Sequence, residues 1–418
     1  MERIAIIGTG ISGLGCAWNL RERAQITLFE QDARTGGHTN TVTVREDGVD
    51  VPIDTGFIVF NHVTYPNLCR LFDELGVATQ PSEMSFSVQH LPDGLEYNGM
   101  GLRKVFAQKR NLFRPRFHRL LRDITRFFEV ANASLGDESV SDLSVRQFVE
   151  REGFGRDLLE YYLVPMSAAI WSAQPGEALD FPAGMLIRFF HNHGFLGVKT
   201  HHPWFTVSRG ADSYVRRILG GIADVRVGSG VVSVEKSGNA VWVRTADGAV
   251  AEFDRVIIAV HADQALRMLA RPDADQQRLL ELFQYQRNHA TLHTDDSLMP
   301  RRKIAWASWN YRIEGTTATT HYWMNALQNV SRKRDYFVSL NCREKIRDDA
   351  VLYETEYEHP IFTLDAVRAQ KELGSLNRRS PAQRLYFCGS YFRYGFHEDA
   401  YWSALQACEA VREHLSAA

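Results

Sequence analysis

Gly8, Gly10 and Gly13, within IAIIGTGISGLGCAWNL, fall at the G-x-G-x-x-G spacing between a short apolar run and an amphipathic stretch. Glycines so spaced hold phosphate: the first allows a tight turn, the second lets backbone approach a pyrophosphate, and the third lets helix and strand pack closely. The start of the following helix adds unpaired N–H groups and a positive dipole end. The triplet alone would also suit any glycine turn of an α/β protein. It gains weight from QITLFEQ, a second strand ending at Glu30, the acid expected about 20 residues on to bind ribose hydroxyls.

Two more stretches carry chemistry. In DARTGGHTNTV, Arg34, Gly36 and Gly37 stand where backbone must pass close to something bulky, which suggests a cofactor longer than its phosphates with its far end toward Asp54–Thr55–Gly56. A surface turn is the alternative. Near the C-terminus, LYFCGSYFRYGFHEDAYWSALQAC breaks an apolar strand at a glycine and passes through aromatics and acids into a helix. His191, His193, His201 and His202 match no helical H-x₃-H pair and have no cysteines beside them, so no metal site is expected.

The elements that must position these residues follow from length and pattern. At 418 residues the chain exceeds one ordinary core, so two domains are expected. A formal net charge of −2 gives no general attraction to nucleic acid, and no nucleic-acid motif occurs. Cys16, Cys69, Cys342, Cys388 and Cys408 are scattered, with no C-x-x-C, so neither a disulfide framework nor zinc is indicated and a reducing cytoplasm fits. Glu2 beside Arg3 and the interrupting glycines argue against a signal peptide, and no run of about 20 apolar residues predicts a transmembrane helix.

From about 70 to 204 the chain reads as helical and aromatic. After 205 it alternates β-branched and polar residues with turns at Gly238 and Asp247–Gly248, a meander ending in the strand Val256–Val260. Residues 285–342 (ATLHT, IAWASWNY, THYWMNA, YFVSLNC) alternate like strands of an antiparallel sheet. The expectation is a discontinuous nucleotide-binding domain of 1–70, 205–265 and 375–418, and a substrate domain of 71–204 and 266–374.

Together, GTGISG with Glu30, RTGGH, the strand at 228–234 and FCGS…GFHEDA resemble the FAD-dependent amine-oxidase-like superfamily, which includes monoamine oxidases, protoporphyrinogen oxidase and carotenoid desaturases. The resemblance spans the chain. It implies an α/β fold in which a Rossmann-like FAD-binding domain of the amine-oxidase type is joined to a mixed antiparallel-sheet and helical substrate domain. It implies FAD, with Gly8, Gly10, Ile11, Ser12 and Gly13 at the pyrophosphate and Glu30 at the adenosine ribose. Arg34, Gly36, Gly37, His38 and Thr39 would follow the stretch from phosphate to flavin, with Gly56 and Phe57 beyond. Val232 would meet adenine through its backbone, Gly389 and Ser390 the ribityl chain, and a helix beginning near Ala400 and Tyr401 would aim its N-terminus at flavin N1 and O2. Such a dipole end stabilises the negative charge of reduced flavin.

Three positions depart from the superfamily pattern. His38 replaces a basic Arg or Lys, Ser390 replaces an acid, and RNHATLHTDD lacks the lysine that amine oxidases place near flavin N5. NHATLHTDDSLMPRRKIAWASWNY and YGFHEDAYWSALQAC are most similar to bacterial FAD proteins associated with cyclopropane-synthase-like methyltransferases, some linked to desaturating methyl-branched fatty acyl chains. That resemblance implies a methyltransferase as a partner.

A flavin dehydrogenase must hold a carbon hydrogen over N5 in a dry pocket, with a base where a second proton leaves. His397, Glu398 and His293 are the candidate bases, although Glu398 and Asp399 equally suit the helix dipole. Tyr394 and Phe396 either wall the flavin or belong to the core. In RPRFHRLLRDITRFFEV, apolar residues from Phe113 to Phe128 make one helix face and arginines the other. That stretch near 115–128 either docks on anionic phospholipid and admits an acyl chain, or is a core face with solvated arginines. The leading expectation is an FAD-dependent dehydrogenase of a long apolar substrate, a methyl-branched fatty acyl chain of a phospholipid, working in the cytoplasm at the inner membrane face. The alternatives are an amine or amino-acid oxidase, a fatty acid isomerase and a flavin-binding accessory protein.

Overall fold

The computed structural model describes residues 1–172, 175–315, 317–378 and 384–416. Strand Arg3–Ile7 lies at the centre of a five-stranded parallel sheet, ordered 385–387, 255–258, 3–7, 25–29, 224–226. Parallel strands covered on both faces need continuous apolar runs, which IAII, VII and ITLF supply. The five strands come from three distant parts of the chain. Of the stretch 375–418, residues 379–383 and 417–418 lie outside the described residues.

Helix Ile11–Leu20 follows the first strand, and the last helix, His397–Ser416, packs against it. Gly15 makes this approach possible, because a Cβ there would lie 2.6 Å from the Tyr401 ring. Tyr401 Oη accepts a hydrogen bond from Asn19 Nδ2 (3.3 Å), while Ala404, Cys408 and Val411 are fully buried along the same face. The helix begins one turn before Ala400, at His397, because Asp399 Oδ2 accepts the Phe396 N–H (3.0 Å), as a third helical residue does in a capping box.

A second, seven-stranded sheet is mixed, ordered 351–361, 284–293, 337–340, 317–323, 309–314, 86–90, 95–98. All its pairs are antiparallel except 309–314 against 86–90. The structure differs here from the expectation of helix throughout 70–204, since 79–82, 86–90 and 95–98 are strands. Their signal is weak because one buried face of 86–90 is polar, Ser87 and Gln89 bonding Asn310 and Glu96, while Val88 on the other face packs in an apolar cluster. THYWMNA also divides, its strand ending at Trp323 and a helix running Met324–Gln328. IAWASWNY contains a helical turn, Lys303–Ala305, before its strand starts at Trp309.

Helices from 102 to 192, including Pro115–Ala133 and Ala183–Asn192, gather around a core of their own containing Phe127, Phe148 and Phe190. At Leu159–Leu163 the backbone widens to a π-turn, just before Pro165, which brings no N–H. Tyr97 Oη instead donates to the Tyr161 carbonyl (2.5 Å). No helix among the described residues is long and apolar enough to cross a membrane.

Gly15→Leu should lower stability by about 1–3 kcal/mol through overpacking, and Tyr401→Ala in the same chain should restore part of it. Denaturant midpoints of the two variants measure both effects. An unchanged midpoint for Gly15→Leu would contradict the packing described.

Candidate active site

A single cavity of about 1670 Å³ connects the fingerprint turn, the start of the last helix and the helical region. It exceeds the roughly 300–1,000 Å³ of a pocket for one small ligand. At its nucleotide end, Gly8 has φ +99°, and a Cβ on Gly13 would sit 1.9 Å from the Gly8 carbonyl oxygen. A Cβ on Gly10 would meet nothing within 4 Å, so bare backbone faces the cavity. Gly10 is also the N-cap and brings no side chain, which leaves the first N–H groups of helix Ile11–Leu20 for an anion. Glu30 accepts hydrogen bonds from the N–H groups of Thr9 (3.0 Å) and Asp32 (3.1 Å) and from the Thr9 hydroxyl, and it lines the cavity.

Arg34 donates to the carbonyls of Gly37 (2.8 Å), Thr39 (2.9 Å) and Thr35 (3.2 Å), so its guanidinium shapes the loop. Gly37, at φ +58°, packs on the fingerprint, where an added Cβ would lie 3.1 Å from Gly10 Cα. Gly56 is equally constrained, its would-be Cβ 2.0 Å from the His38 carbonyl oxygen. Ile11, Ser12, His38, Phe57, Val232, Gly389, Ser390 and Ala400 also line the cavity. Gly13, Gly36, Thr39 and Tyr401 stand behind that wall. This open glycine backbone, uncapped helix start and ribose-type acid fit a flavin dinucleotide.

The candidate bases have separate surroundings. His397 lines the cavity, stacks on Phe57 (3.8 Å between centroids) and places Nε2 2.9 Å from Thr39 Oγ1. Glu398 turns away: it accepts from Asn67 N (3.2 Å), Asn67 Nδ2 (2.6 Å) and Leu68 N (2.9 Å), capping helix Pro66–Leu75. His293 is buried within the seven-stranded sheet, bonded to Ser339 Oγ (2.7 Å) and to the Asp295 N–H (3.1 Å), off the cavity wall.

Residues not singled out in the sequence complete the wall. His261, Tyr357 and His359 surround His38, which stacks on Tyr357 at 4.9 Å and lies 5.2 Å from His359. The proton on His359 follows from a chain of hydrogen bonds. The backbone N–H of His289 can only donate, and Asn341 Oδ1 accepts it (2.9 Å). Asn341 Nδ2 then donates to Asn288 Oδ1 (2.8 Å), which leaves Asn288 Nδ2 to donate to His359 Nδ1 (2.9 Å). His359 therefore carries its proton on Nε2. Asn341 holds φ +57°, an uncommon conformation for a non-glycine residue. His261 has the opposite tautomer: its Nδ1 faces the Glu358 carboxylate (3.3 Å), whose pKa that contact lowers to about 2, so Nδ1 donates and Nε2 can accept. One imidazole of the wall gives a proton and another takes one. In sequence, the only trace was His359 and Glu358 at adjacent positions in the strand EYEHPI.

Six histidines are held neutral by burial: His38 well below its usual range, His321 and His397 down to about 3, and His193, His293 and His359 to about 4. An unfolded chain takes up these protons near the ordinary value of 6.5, before the folded one does. Stability must then fall as pH drops from 6.5 toward 4. Burial pushes Asp54 and Asp399 up to about 7, so these two lose stability in the opposite direction, as pH rises from 3.8 to 7. The histidines, joined by His201 and His414, whose pKa burial also lowers, outnumber these two carboxyls and Glu398, whose pKa burial also raises. The thermal midpoint should fall between pH 7 and pH 5, and a flat or rising profile would contradict this balance. In ¹⁵N-histidine NMR spectra, His359 should show an unprotonated Nδ1, an assignment lost in Asn288→Leu; a protonated Nδ1 in the parent chain would break the hydrogen-bond argument.

Similarity to known proteins agrees with this geometry. The family described as "Flavin containing amine oxidoreductase" matches residues 11–320. The chain is 25% identical over 270 residues to probable polyamine oxidase 4 of Arabidopsis thaliana, covering 62% of this chain and 50% of that one. It is 23% identical over 185 residues to protoporphyrinogen oxidase 2, chloroplastic/mitochondrial, of the same plant, covering 42% and 33%. The chain thus spans a third to a half of the length of these curated relatives. Among solved structures, cyclohexylamine oxidase from Brevibacterium oxydans superposes with a TM-score of 0.71 at 15% identity over 99% of both chains. A fatty acid isomerase from P. acnes does so with a TM-score of 0.68 at 14% identity over 99% of this chain and 98% of that one. These likenesses are of fold. The family match and the glycine cradle together establish that the chain belongs to the flavin containing amine oxidoreductases, with FAD as its cofactor.

Proposed function

We propose that this oxidoreductase dehydrogenates a long apolar substrate, a methyl-branched fatty acyl chain of a phospholipid. The observation that carries the reading is the wall of the cavity beyond the flavin end. It is built from aliphatic and aromatic side chains, among them Ile124, Phe128, Tyr162, Met166, Trp171, Phe189 and Phe195, and among the described residues this part of the wall contains no Asp or Glu. An ammonium group there would be desolvated without a carboxylate partner, whereas an acyl chain leaves nothing unsatisfied. Lys199 lines the cavity with Gly197, Val198 and His201 and suits a phosphate or carboxylate.

The bound FAD supplies the acceptor for a hydride. The chain's own groups do the rest. A saturated carbon offers no hydrogen-bonding handle, so Trp171, Phe189 and Phe195 must orient it by shape, and the same rings exclude water. A double bond also requires a proton to leave the neighbouring carbon, and His261 Nε2 is an available acceptor, backed by Glu358. A methyltransferase that installs the branch would supply the substrate.

The aromatic wall also favours a second reading, an amine oxidase in which rings hold the cation through their faces. The fatty acid isomerase among the similar structures adds a third, in which flavin reduction is transient. An anaerobic absorbance titration separates them. Phospholipid with methyl-branched acyl chains should bleach the flavin lastingly and give an unsaturated product by mass spectrometry, while small amines leave the spectrum unchanged. Bleaching by amines alone would overturn the reading. Ile124→Asp should cut kcat/KM for the lipid at least tenfold, equivalent to about 1.4 kcal/mol, with flavin content retained.

A further inference from the structure

Residues 97–122 contain eight Lys or Arg and no Asp or Glu. Within the same stretch, large apolar side chains stand in solvent: Phe113 is 86% exposed and Leu102 77%, with Leu112 and Met100 also exposed. Val198 joins them at 78%, so that, Met1 aside, the three most exposed large apolar side chains of the described residues belong to this region. They are not scattered. Met100, Leu102 and Val198 line the mouth of the cavity, and Leu112 and Phe113 precede the helix whose Leu121, Ile124 and Phe128 line its wall.

The charges divide into engaged and free. Arg116 is bound to Asp157 (2.8 Å) and lies near Asp93, Arg126 reaches the Glu152 carbonyl at 2.5 Å, and Lys104 lies 3.6 Å from Glu83. Arg103, Lys109, Arg114, Arg119 and Lys199 have no ion-pair partner among the described residues. Helix Pro115–Ala133 itself buries Phe117, Leu120 and Phe127 in the core, so its apolar face is not available to a membrane. The available surface is the segment before it.

We propose that residues 100–114, together with Val198 and Lys199, dock this protein on an anionic phospholipid surface with the cavity mouth facing the lipid. Unpaired cations beside protruding Leu, Phe and Val side chains match that boundary: the apolar groups enter below the headgroups while the cations meet phosphate. A polar protein partner would satisfy the charges but not the apolar tips. An acyl chain entering at Leu102 would travel along a continuous apolar wall to the flavin end. That passage rests on the acyl-chain reading above; the docking does not.

The test is co-sedimentation of the full-length FAD-loaded protein with vesicles of phosphatidylglycerol and phosphatidylcholine in equal parts, against phosphatidylcholine alone. Binding should occur on the anionic vesicles, fall at least tenfold on the neutral ones and weaken at 1 M salt, where the Debye length shrinks to about 3 Å. Leu102→Asp with Phe113→Asp, and separately Arg103→Glu with Lys109→Glu, should each weaken binding at least tenfold while thermal midpoints stay unchanged. Val250→Asp, at an exposed position of strand Val250–Phe253 outside the cavity lining, should bind like the parent. Parent-like binding by either double variant overturns the proposal, as does failure of the parent to bind anionic vesicles. So does concentration-dependent self-association without vesicles that the same substitutions abolish, since the patch would then belong to a second copy. Vesicle binding without flavin bleaching would sink the acyl-chain reading alone; bleaching by detergent-dispersed lipid without vesicle binding would sink the docking alone.

Discussion

At Gly15 an added methyl group would lie 2.6 Å from the Tyr401 ring, and that close contact joins the first helix of the chain to the last. The cavity takes its wall from both ends of the chain. Gly8, Gly10 and Glu30 come from the first 30 residues, while Gly389, Ser390, His397 and Ala400 come from the last 30. Arg255, wholly buried, ties the two further: it binds Glu2 Oε2 (2.6 Å) and Tyr386 Oη (2.8 Å), and Tyr386 Oη in turn bonds His414 Nδ1 (2.7 Å) on the last helix. A buried cation is tolerated only with such partners. The cavity has the right shape only after the whole chain has folded.

The second constraint is a cluster of neutral imidazoles. The cavity wall near the flavin end places the half-buried His38, His261, His359 and His397 close together, where two or more imidazolium ions would repel each other. Burial keeps His38, His359 and His397 neutral, and neutral imidazoles can each be fixed as donor or acceptor by what lies behind them. Asn288 does this for His359 and Glu358 for His261. The chemistry at the wall therefore depends on Asn288 behind it and on Glu358 within it.

Local features were legible in the sequence, while most individual tertiary contacts were not. Gly8, Gly10, Gly13 and Glu30 could be read because each is required by the backbone within one strand–turn–helix unit. Strand 86–90 was not recognised because its parallel partner, 309–314, lies far along the chain and one of its buried faces is polar. Glu398 looked like a possible base from its place beside His397; only the folded chain brings it against the N-terminus of helix Pro66–Leu75. The exposed Leu102, Phe113 and Val198 were also invisible, since a sequence pattern records apolar residues but not which of them remain in solvent. The arginine-rich helix marks this neighbourhood through its charge, while its own apolar residues Phe117, Leu120 and Phe127 are committed to the core.

The central claim is that one cavity holds FAD at the glycine cradle and an acyl chain along the apolar wall. A crystal structure of the FAD-loaded protein with a methyl-branched phospholipid tests this most directly. The pyrophosphate should lie on the backbone of Gly10 and the N-terminus of helix Ile11–Leu20, with the acyl chain running from Leu102 past Phe128 and Phe189 toward His397. An acyl chain bound elsewhere, or a wall that closes around flavin and leaves room only for a small amine, would contradict the account.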